Sequence, residues 1–315
     1  MKLASILILS YNNLDGLYDT LDSVFRQDYP DIELVIADDA SRDYREKQPA
    51  LDAYIGSHRT PRIRDVIWVP HETNGGTVKN SNDAIRASHG EYLLALASED
   101  TLAHESALSH MIQYLADSGE NVCFGRVRGI TPDGEYVDHL LSCESDYARL
   151  RSYTVEQTRN RLFARNFLPG ACALKTRKLY EEYGLYPESV RLIEDYPFWL
   201  ELTRKGVRFV YLDEVTVLYR LSGVSSTGHY SEMFMRDMYT IYEGYIFPYD
   251  HRYGALQGIY NRLKRLGLDY YMALARWEKL TPGARLLNRV RYFPFFVYTG
   301  LQRWSNDRKN RMNHK

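Results

Sequence analysis

Two adjacent carboxylates follow an apolar run near the middle of the first half of the chain. Residues 93–97 are apolar, and Ser98, Glu99 and Asp100 come directly after them. Such a run predicts a strand covered on both faces, whose acidic end lies at the carboxyl edge of a sheet, where open α/β sheets bind ligands. Neighbouring carboxylates repel each other, and a hard cation such as Mg²⁺ or Mn²⁺ relieves that repulsion. We therefore expect a divalent metal that links Glu99 and Asp100 to phosphate.

Two earlier predicted strands also end in polar residues. Apolar strands are predicted over residues 3–9 and 32–37. The polar side chains that follow them are those of Ser10, Tyr11, Asn12, Asp38 and Asp39. Because parallel strands end at a common edge, we expect these side chains to lie near the acidic pair described above.

The first hundred residues alternate between strand and helix. A strand is predicted over residues 63–69 and a helix over residues 77–88. Another helix follows the first strand, and Asn12 or Asn13 is its expected N-cap. Its apolar face consists of Leu14, Leu17, Leu21, Val24 and Phe25. This alternation predicts a parallel, right-handed wound α/β sheet.

A third acidic pair, Glu194 and Asp195, lies much later in the chain. A helix rich in aromatic and apolar residues is predicted directly after it. Two carboxylates side by side favour a raised pKa on one of them, which suits proton transfer near neutral pH.

These motifs, in their order and spacing, resemble those of the inverting family 2 glycosyltransferases of the GT-A fold. The matching segments are residues 5–12, 36–41, 74–76 with Asn82, 98–100, 169–171 and 194–195. The resemblance covers residues 3 to about 222. It implies a mainly parallel central sheet flanked by helices, and transfer of a sugar from a nucleotide diphosphate to an acceptor hydroxyl.

The resemblance also implies where the nucleotide binds. Asp39 matches the acid that accepts a hydrogen bond from the base, and a carboxylate acceptor selects uracil or thymine over cytosine. Tyr11 is expected to stack on that base. The other nucleotide-binding positions so implied are Ser10, Asn12, Lys79, Asn82, Ser98 and Glu99. Ser81 stands where the family often has Arg, which leaves Lys79 as the nearby cation.

The metal and the catalytic base are implied in the same way. Glu99 and Asp100 match the metal-binding acids, although Ala97 stands where many members have another acid. His229 is a further expected metal ligand. Asp195 matches the general base that removes the proton of the attacking hydroxyl, with Glu194 beside it.

Each acidic cluster also has a structural explanation. Asp38 and Asp39 are typical of a turn that ends with a helix cap. Glu99 and Asp100 are typical of an acidic N-cap for a helix near His104, and Glu194 with Asp195 of a helix N-terminus stabilised by its dipole. The shared order of the motifs favours the functional interpretation.

Other function classes fit less well. The absence of a Gly-x-Gly-x-x-Gly motif from the chain argues against a Rossmann dehydrogenase. The loop over residues 222–229 has two glycines, but His229 and Tyr230 replace the Lys and Ser or Thr of a P-loop. We expect this loop to act as a lid instead. A catalytically silent nucleotide-sugar binder that assists assembly stays open as an alternative.

Composition agrees with a reducing, cytoplasmic location. The chain has 315 residues, 44% of them hydrophobic, and a net charge of −1, which argues against nucleic acid as a partner. Three widely spaced cysteines (Cys123, Cys143 and Cys172) are expected to be buried thiols. The apolar N-terminal run is expected to be a strand and not a signal peptide.

The C-terminal part differs from the rest. We expect a GT-A catalytic domain over residues 1–229, with a nucleotide-binding half (1–100) and an acceptor-side half (101–229), and a helical extension over residues 230–315. Residues 276–315 contain ten Lys or Arg against two acids and an aromatic cluster over residues 292–298. This composition suits contact with an anionic membrane surface at the inner face of the cell membrane, near a glycan or lipid-linked acceptor. Packing on protein is the equal alternative, and the oligomeric state stays open.

Overall fold

The computed structural model describes most of the chain. The described residues are 2–131, 133–137, 146–147, 150–221, 230–276, 281–293, 295 and 297. They form two compact units, Met1–Thr227 and Gly228–Lys315. The expected extension over residues 230–315 begins close to this division.

The first unit alternates strands and helices. Its strands are β1 (Ala4–Ser10), β2 (Ile32–Asp38), β3 (Ile63–Pro70), β4 (Tyr92–Ala97), β5 (Thr101–Leu102), β6 (Val122–Ile130), β7 (Tyr136–Val137), β8 (Ala173–Thr176) and β9 (Val210–Arg220). Its helices are α1 (Leu17–Phe25), α2 (Tyr44–His58), α3 (Thr77–Ala87), α4 (Ala107–Ser118), α5 (Val155–Ala164), α6 (Arg177–Tyr183) and α7 (Asp195–Arg204). A short 3₁₀ turn, Gly170–Cys172, precedes β8.

Within the described residues the strands form one sheet in the order β3-β2-β1-β4-β8-β6-β9-β5, with β7 paired to β6. Strands β1 to β4 pair in parallel. Strand β8 is antiparallel to both β4 and β6, so β6 runs in the same direction as β4, and β9 pairs in parallel with β6. The predicted mainly parallel sheet flanked by helices is therefore confirmed.

Burial explains why these segments form strands. All seven residues of β2 are buried, and β1 has one partly exposed residue, which is the pattern of a strand covered on both faces. The predicted apolar face of α1 is buried as well. The expected N-cap was wrong, because α1 begins at Leu17 after Gly16, and Asn12 and Asn13 belong to the loop before it.

The second unit is helical in its described residues. It contains α8 (Glu232–Ile241), a π-helical turn (Tyr242–Ile246), a 3₁₀ turn (Gly254–Leu256), α9 (Gln257–Ala275) and α10 (Pro282–Arg291). Hydrogen bonds and ring contacts fix it internally: Arg265 pairs with Glu243, and Tyr270 packs against Tyr292. No helix among the described residues has the length and apolarity that a bilayer crossing needs.

Two of the three cysteines that were expected to be buried thiols are free and buried in the structure. Cys123 and Cys172 are free and buried, and burial raises the pKa of each thiol to about 12. Such thiols are protonated and unreactive at neutral pH. Cys143 lies outside the described residues.

Candidate functional site

Strand register brings three polar strand ends to one edge of the sheet. Leu9 of β1 pairs with Ala37 of β2 and with Ala97 of β4. The next residues therefore leave the sheet at the same level: Ser10 pairs with Asp38, and the Ser98 N–H donates to the Leu9 carbonyl at 2.9 Å. The sequence prediction that these clusters share an edge is correct.

The backbone is strained at this edge. Among the described residues, positive φ values outside glycine occur at Asn12 (52°), Ala40 (64°) and Glu99 (84°). Each follows one of the three strands β1, β2 and β4 within a few residues. Left-handed conformations cost about 1–3 kcal/mol for such residues and cluster at functional sites, where surrounding contacts hold them.

Asp39 is held by the turn at the start of α3. Its carboxylate accepts hydrogen bonds from the Gly75 N–H at 2.6 Å and the Gly76 N–H at 2.8 Å, and His71 Nδ1 lies 3.1 Å from Oδ1. The backbone at Gly76 has a φ of 89°, which glycine permits. These contacts orient the carboxylate and leave Oδ2 with room for one further donor, since each carboxylate oxygen accepts about two hydrogen bonds.

Asp38 differs in role from Asp39. Its Oδ1 accepts the Ser41 N–H at 2.8 Å, and its Oδ2 bonds to the Ser41 hydroxyl. That hydroxyl accepts the Asn12 N–H at 2.7 Å, and the Asn12 side chain accepts the Arg42 N–H at 3.1 Å. The turn explanation therefore holds for Asp38, while Asp39 faces the α3 turn.

Tyr11 and two serines stand at the same edge. Tyr11 is 52% exposed, which makes its side chain accessible to a ligand. Ser10 is buried, and its hydroxyl has no hydrogen-bond partner in the described part of the chain. The Ser98 hydroxyl donates to the Asn13 carbonyl at 2.5 Å.

Lys79 and Asn82 contact protein in this structure. Lys79 pairs with Asp83 on the next turn of α3. The Asn82 amide donates to the Tyr186 carbonyl at 3.0 Å and accepts the Tyr186 N–H at 3.0 Å, so it fixes the loop before the third acidic pair. Their expected contacts with nucleotide stay predictions.

Glu99 and Asp100 come after β4 in a loop that α1 supports. The Glu99 N–H donates to the Gly16 carbonyl at 3.2 Å and to the Thr20 hydroxyl at 3.1 Å, and Glu99 Oε1 accepts from Asn13 at 2.6 Å. The N-cap explanation was wrong, because β5 follows Asp100 and α4 begins only at Ala107, after Ser106.

Asp100 has one carboxylate oxygen that is hydrogen-bonded and one that is buried without a partner among the described residues. Its Oδ1 accepts the Arg220 N–H at 3.1 Å, while its buried Oδ2 has no hydrogen-bond partner in the described part of the chain. Burial raises the pKa of Asp100 to about 8, and the charge of Glu99 adds to the rise. A divalent cation would satisfy this oxygen and favour the ionised carboxylate.

The described residues contain no set of three or more His, Cys, Asp or Glu arranged to hold a metal. His229, the third expected ligand, lies outside the described residues, as does the expected lid over residues 222–229. The carboxylate chemistry of Asp100 and Glu99 thus fits a hard divalent cation, and the remaining ligands would come from phosphate, water or residue 229.

Glu194 and Asp195 stand at the start of α7. Asn166 Nδ2 lies 3.3 and 3.2 Å from the two oxygens of Asp195, and the N–H groups of Gly170 and Tyr196 also bond to this carboxylate. Burial and mutual repulsion raise the pKa of Glu194, and burial raises that of Asp195, which the hydrogen bonds from Asn166 and the backbone partly offset. The pair therefore holds a proton more readily than free carboxyls do.

Arg191 connects the loop before the acidic pair to the turn that holds Asp39. Its carbonyl accepts the Val78 N–H at 3.0 Å, and its guanidinium donates to the carbonyl and the side-chain oxygen of Asn74, both at 2.7 Å. Asn74 precedes the two glycines that hold Asp39. A chain of contacts thus runs from Asp39 through the α3 turn to a residue three positions before Glu194.

Sequence reasoning missed three residues of this arrangement. They are His71, Asn166 and Arg191. Asn166 lies three residues before the Pro169-Gly170 segment that the sequence analysis had singled out, so its proximity to that motif was an available signal. His71 directly follows β3, and the rule that polar residues at strand ends share an edge would have included it.

A mainly parallel sheet with acidic clusters at its carboxyl edge is the arrangement of a GT-A nucleotide-sugar transferase. Solved structures agree on the fold. Staphylococcus aureus TarS residues 1–349 in complex with UDP-GlcNAc superpose with a TM-score of 0.59 at 17% identity, covering 93% of this chain and 89% of that one. The Pyrobaculum calidifontis mannosyltransferase PcManGT, in complex with GDP-Man and Mn²⁺, gives a TM-score of 0.57 at 19% identity, covering 96% and 84%.

The chain belongs to glycosyl transferase family 2, whose family model matches residues 5–184. EpsJ of Bacillus subtilis, described as an uncharacterised glycosyltransferase, is 29% identical over 226 residues, covering 70% of this chain and 61% of EpsJ. An uncharacterised Rickettsia felis glycosyltransferase is 24% identical over 214 residues, covering 67% of this chain and 33% of its own length. The chain therefore spans less than two thirds of these relatives. The predicted family and GT-A fold are confirmed.

Proposed function

We propose that the chain transfers a sugar, with inversion, from a UDP- or dTDP-sugar to a hydroxyl of a glycan or lipid-linked acceptor. The observation that carries this proposal is the joint placement of Asp39, Asp100 and Asp195. Asp39 and Asp100 follow β2 and β4, the two parallel strands that flank β1, and Asp195 is connected to the same edge through Arg191 and the α3 turn. Each carboxylate is oriented by backbone N–H groups, as a preorganised site requires.

Asp39 reads the base in this proposal. The N3–H of uracil or thymine donates to Oδ2, while N3 of cytosine carries no proton to donate. Tyr11 stacks on the ring, and its exposure permits this contact. Ser10, Asn12, Ser98 and Glu99 line the ribose side of the same edge.

Asp195 acts as general base toward the acceptor. Asn166 and the start of α7 hold its carboxylate, so that it takes the proton of the attacking hydroxyl as the nucleotide leaves from the opposite face of the sugar. Glu194 lies beside it, and burial together with the charge of Asp195 raises the pKa of Glu194. A single displacement of this kind gives inversion at the anomeric carbon.

Asp100 and Glu99 would hold the divalent metal in this proposal. A bound Mn²⁺ or Mg²⁺ supplies charge stabilisation to the departing diphosphate. Asp100 offers its buried, unpartnered oxygen for this purpose, and Glu99 is fixed beside it by Asn13. Lys79 of α3 would add positive charge after release from Asp83.

Nucleotide selectivity tests the role of Asp39. We expect the full chain with Mn²⁺ to bind UDP at least about tenfold more tightly than CDP, because a carboxylate facing the N3 of cytosine is left unpaired and costs about 1–3 kcal/mol. Isothermal titration calorimetry measures both dissociation constants. Equal affinity for UDP and CDP would contradict base recognition by Asp39.

These titrations, combined with an assay of released nucleotide diphosphate, address the silent-binder alternative. A catalytically silent assembly partner would bind the nucleotide sugar but release no nucleotide diphosphate on incubation. Binding combined with turnover therefore supports the enzyme, and binding without turnover supports the alternative.

We also propose that α10 places the enzyme on an anionic membrane, where a lipid-linked acceptor of the cell envelope resides. Leu286, Leu287, Val290 and Phe293 are between 64% and 68% exposed, and they fall on neighbouring turns of one short segment. Arg291 in the same segment is an exposed cation. Apolar side chains next to basic ones suit the interface of a bilayer with acidic lipids.

Vesicle flotation tests this membrane contact. We expect the full chain to float with anionic vesicles, and Leu286→Glu with Val290→Glu to lower the bound fraction at least about tenfold, since each buried leucine or valine contributes about 1.5–3 kcal/mol. Leu256→Glu is the matched control, because Leu256 is 62% exposed in the same unit but outside α10. Equal flotation of both variants would contradict the proposal.

A further inference from the structure

Lys175 is a buried cation that the proposed mechanism does not use. It lies in β8, in the interior of the sheet, where it pairs with Leu93 of β4 and Val122 of β6. The residue is 1% exposed, and within the described part of the chain its ammonium nitrogen has no hydrogen-bond partner. An unpaired buried charge is expensive, so a compensating anion is expected nearby.

Aromatic rings place the ammonium against the first turns of α7. Its nitrogen lies 5.6 Å from the Trp199 ring centre and 5.9 Å from that of Tyr186. Trp199 follows Asp195 by four residues, which is about one helical turn. Strand β8 begins at Ala173, three residues after Gly170. The backbone of Gly170 lies against the acidic pair, since a Cβ built on it would be 3.2 Å from the Asp195 Cβ and 3.3 Å from Glu194 Oε1.

The charged groups that act on this ammonium are few. Glu194 and Asp195 favour its charged form, while burial lowers the pKa of Lys175 to about 8. Among the described residues, the Cys172 thiol also acts on the ammonium, and the ring of Tyr186, which is hydrogen-bonded to Tyr180, packs against it. Burial raises the pKa of Cys172, Tyr180 and Tyr186, so all three are neutral. In return, the ammonium lowers the pKa of both carboxyls.

We propose that Lys175 is the buried counter-charge of Glu194 and Asp195, and that it is a positioning residue which keeps Asp195 ionised as the base. This inference rests on the proposed role of Asp195. Two adjacent carboxylates cannot both ionise cheaply in a buried site, and one ammonium behind them offsets that repulsion. The cation acts through Asp195 and does not touch the substrate.

The pH profile of nucleotide release tests the proposal. In Lys175→Met, we expect the acid limb to move up by about one pH unit and the rate at pH 7 to fall about tenfold, with the donor KM unchanged and activity recovered at higher pH. Lys178→Met is the matched control, because Lys178 is exposed at the start of α6. A loss that is equal at all pH values, or an unmoved profile, would overturn the proposal.

Thermal unfolding separates this inference from the proposed function, since it needs no turnover. A carboxyl whose folded pKa exceeds its unfolded pKa loses stability as the pH rises through the folded value. Without the ammonium those folded pKa values rise further. The Tm of Lys175→Met should therefore fall more steeply than that of wild type between about pH 5 and 8. Parallel curves would overturn the inference even if wild type shows no turnover.

A second variant covers the case in which Lys175→Met does not fold. Adding Glu194→Gln removes one acid together with the ammonium, and we expect this double variant to fold. If the double variant also failed to fold, the proposal would be overturned, because the folding defect would then come from the shape of the side chain and not from the loss of its charge.

Discussion

Replacement of Asp195 by asparagine should lower the rate of sugar transfer about 10²–10⁴-fold, the contribution of a positioned general base. Asparagine keeps the shape of the side chain and one oxygen for the hydrogen bonds of Asn166 and the backbone. It cannot take the proton of the acceptor hydroxyl. Because the change also removes a partly buried charge, the folded state should not be less stable than that of wild type.

Steady-state kinetics with the donor titrated at fixed acceptor measure this effect. The loss should appear in kcat, with the donor KM close to wild type, since Asp195 acts on the acceptor. Glu201→Gln is the control, because it makes the same chemical change in the same helix, where Glu201 pairs only loosely with Arg204 at 3.7 Å. An Asp195→Asn enzyme with wild-type kcat would remove Asp195 from the mechanism.

Replacement of Asp100 by asparagine should abolish stimulation by Mn²⁺ and lower turnover by about 10²-fold or more. Without the metal, the negative charge that develops on the departing nucleoside diphosphate is no longer stabilised by a cation. The amide keeps an oxygen that can accept the Arg220 N–H, so the loop should stay in place. Glu105→Gln provides the control, since Glu105 is an exposed acid five residues further along.

Metal titrations of nucleotide release measure the effect. In wild type the rate should rise with Mn²⁺ and fall to a low basal value with a chelator. In Asp100→Asn the rate should stay at that basal value at all metal concentrations. A variant stimulated by Mn²⁺ as strongly as wild type would show that Asp100 is not a ligand.

The strands of the first hundred residues were predictable because a strand that is buried on both faces appears in the sequence as a run of apolar residues. β2 is an example: its residues are all buried, and the predicted end at Ala37 is one residue from the observed end at Asp38. Since the ends of parallel strands coincide, the shared edge of Ser10, Asp38 and Ser98 followed from the strands alone.

Long-range features were not predictable in this way. The position of β8 between β4 and β6 depends on pairing between segments far apart in sequence, which periodicity does not encode. The start of α1 was misjudged because residues 12–16 serve a loop with a left-handed Asn12 instead of continuing the helix.

The residues of the candidate site also differ in whether local sequence or only the three-dimensional fold points to them. Asp39, Asp100 and Asp195 were proposed from local motifs and their roles stay predictions, whereas Lys175 was not singled out, because a single lysine in a short strand carries no local sign of burial. Only the sheet order and the packing on Trp199 and Tyr186 show that this lysine is buried against a ring of α7, one turn after Asp195.

Release of nucleotide diphosphate from a panel of nucleotide sugars, measured on the full chain with and without Mn²⁺, tests the central claim most directly. We predict metal-stimulated release from a UDP- or dTDP-sugar, competitive inhibition by the free nucleotide, and loss of release in Asp195→Asn. If no nucleotide sugar yields nucleotide above the no-enzyme rate, or if Asp195→Asn releases nucleotide as wild type does, the account is contradicted.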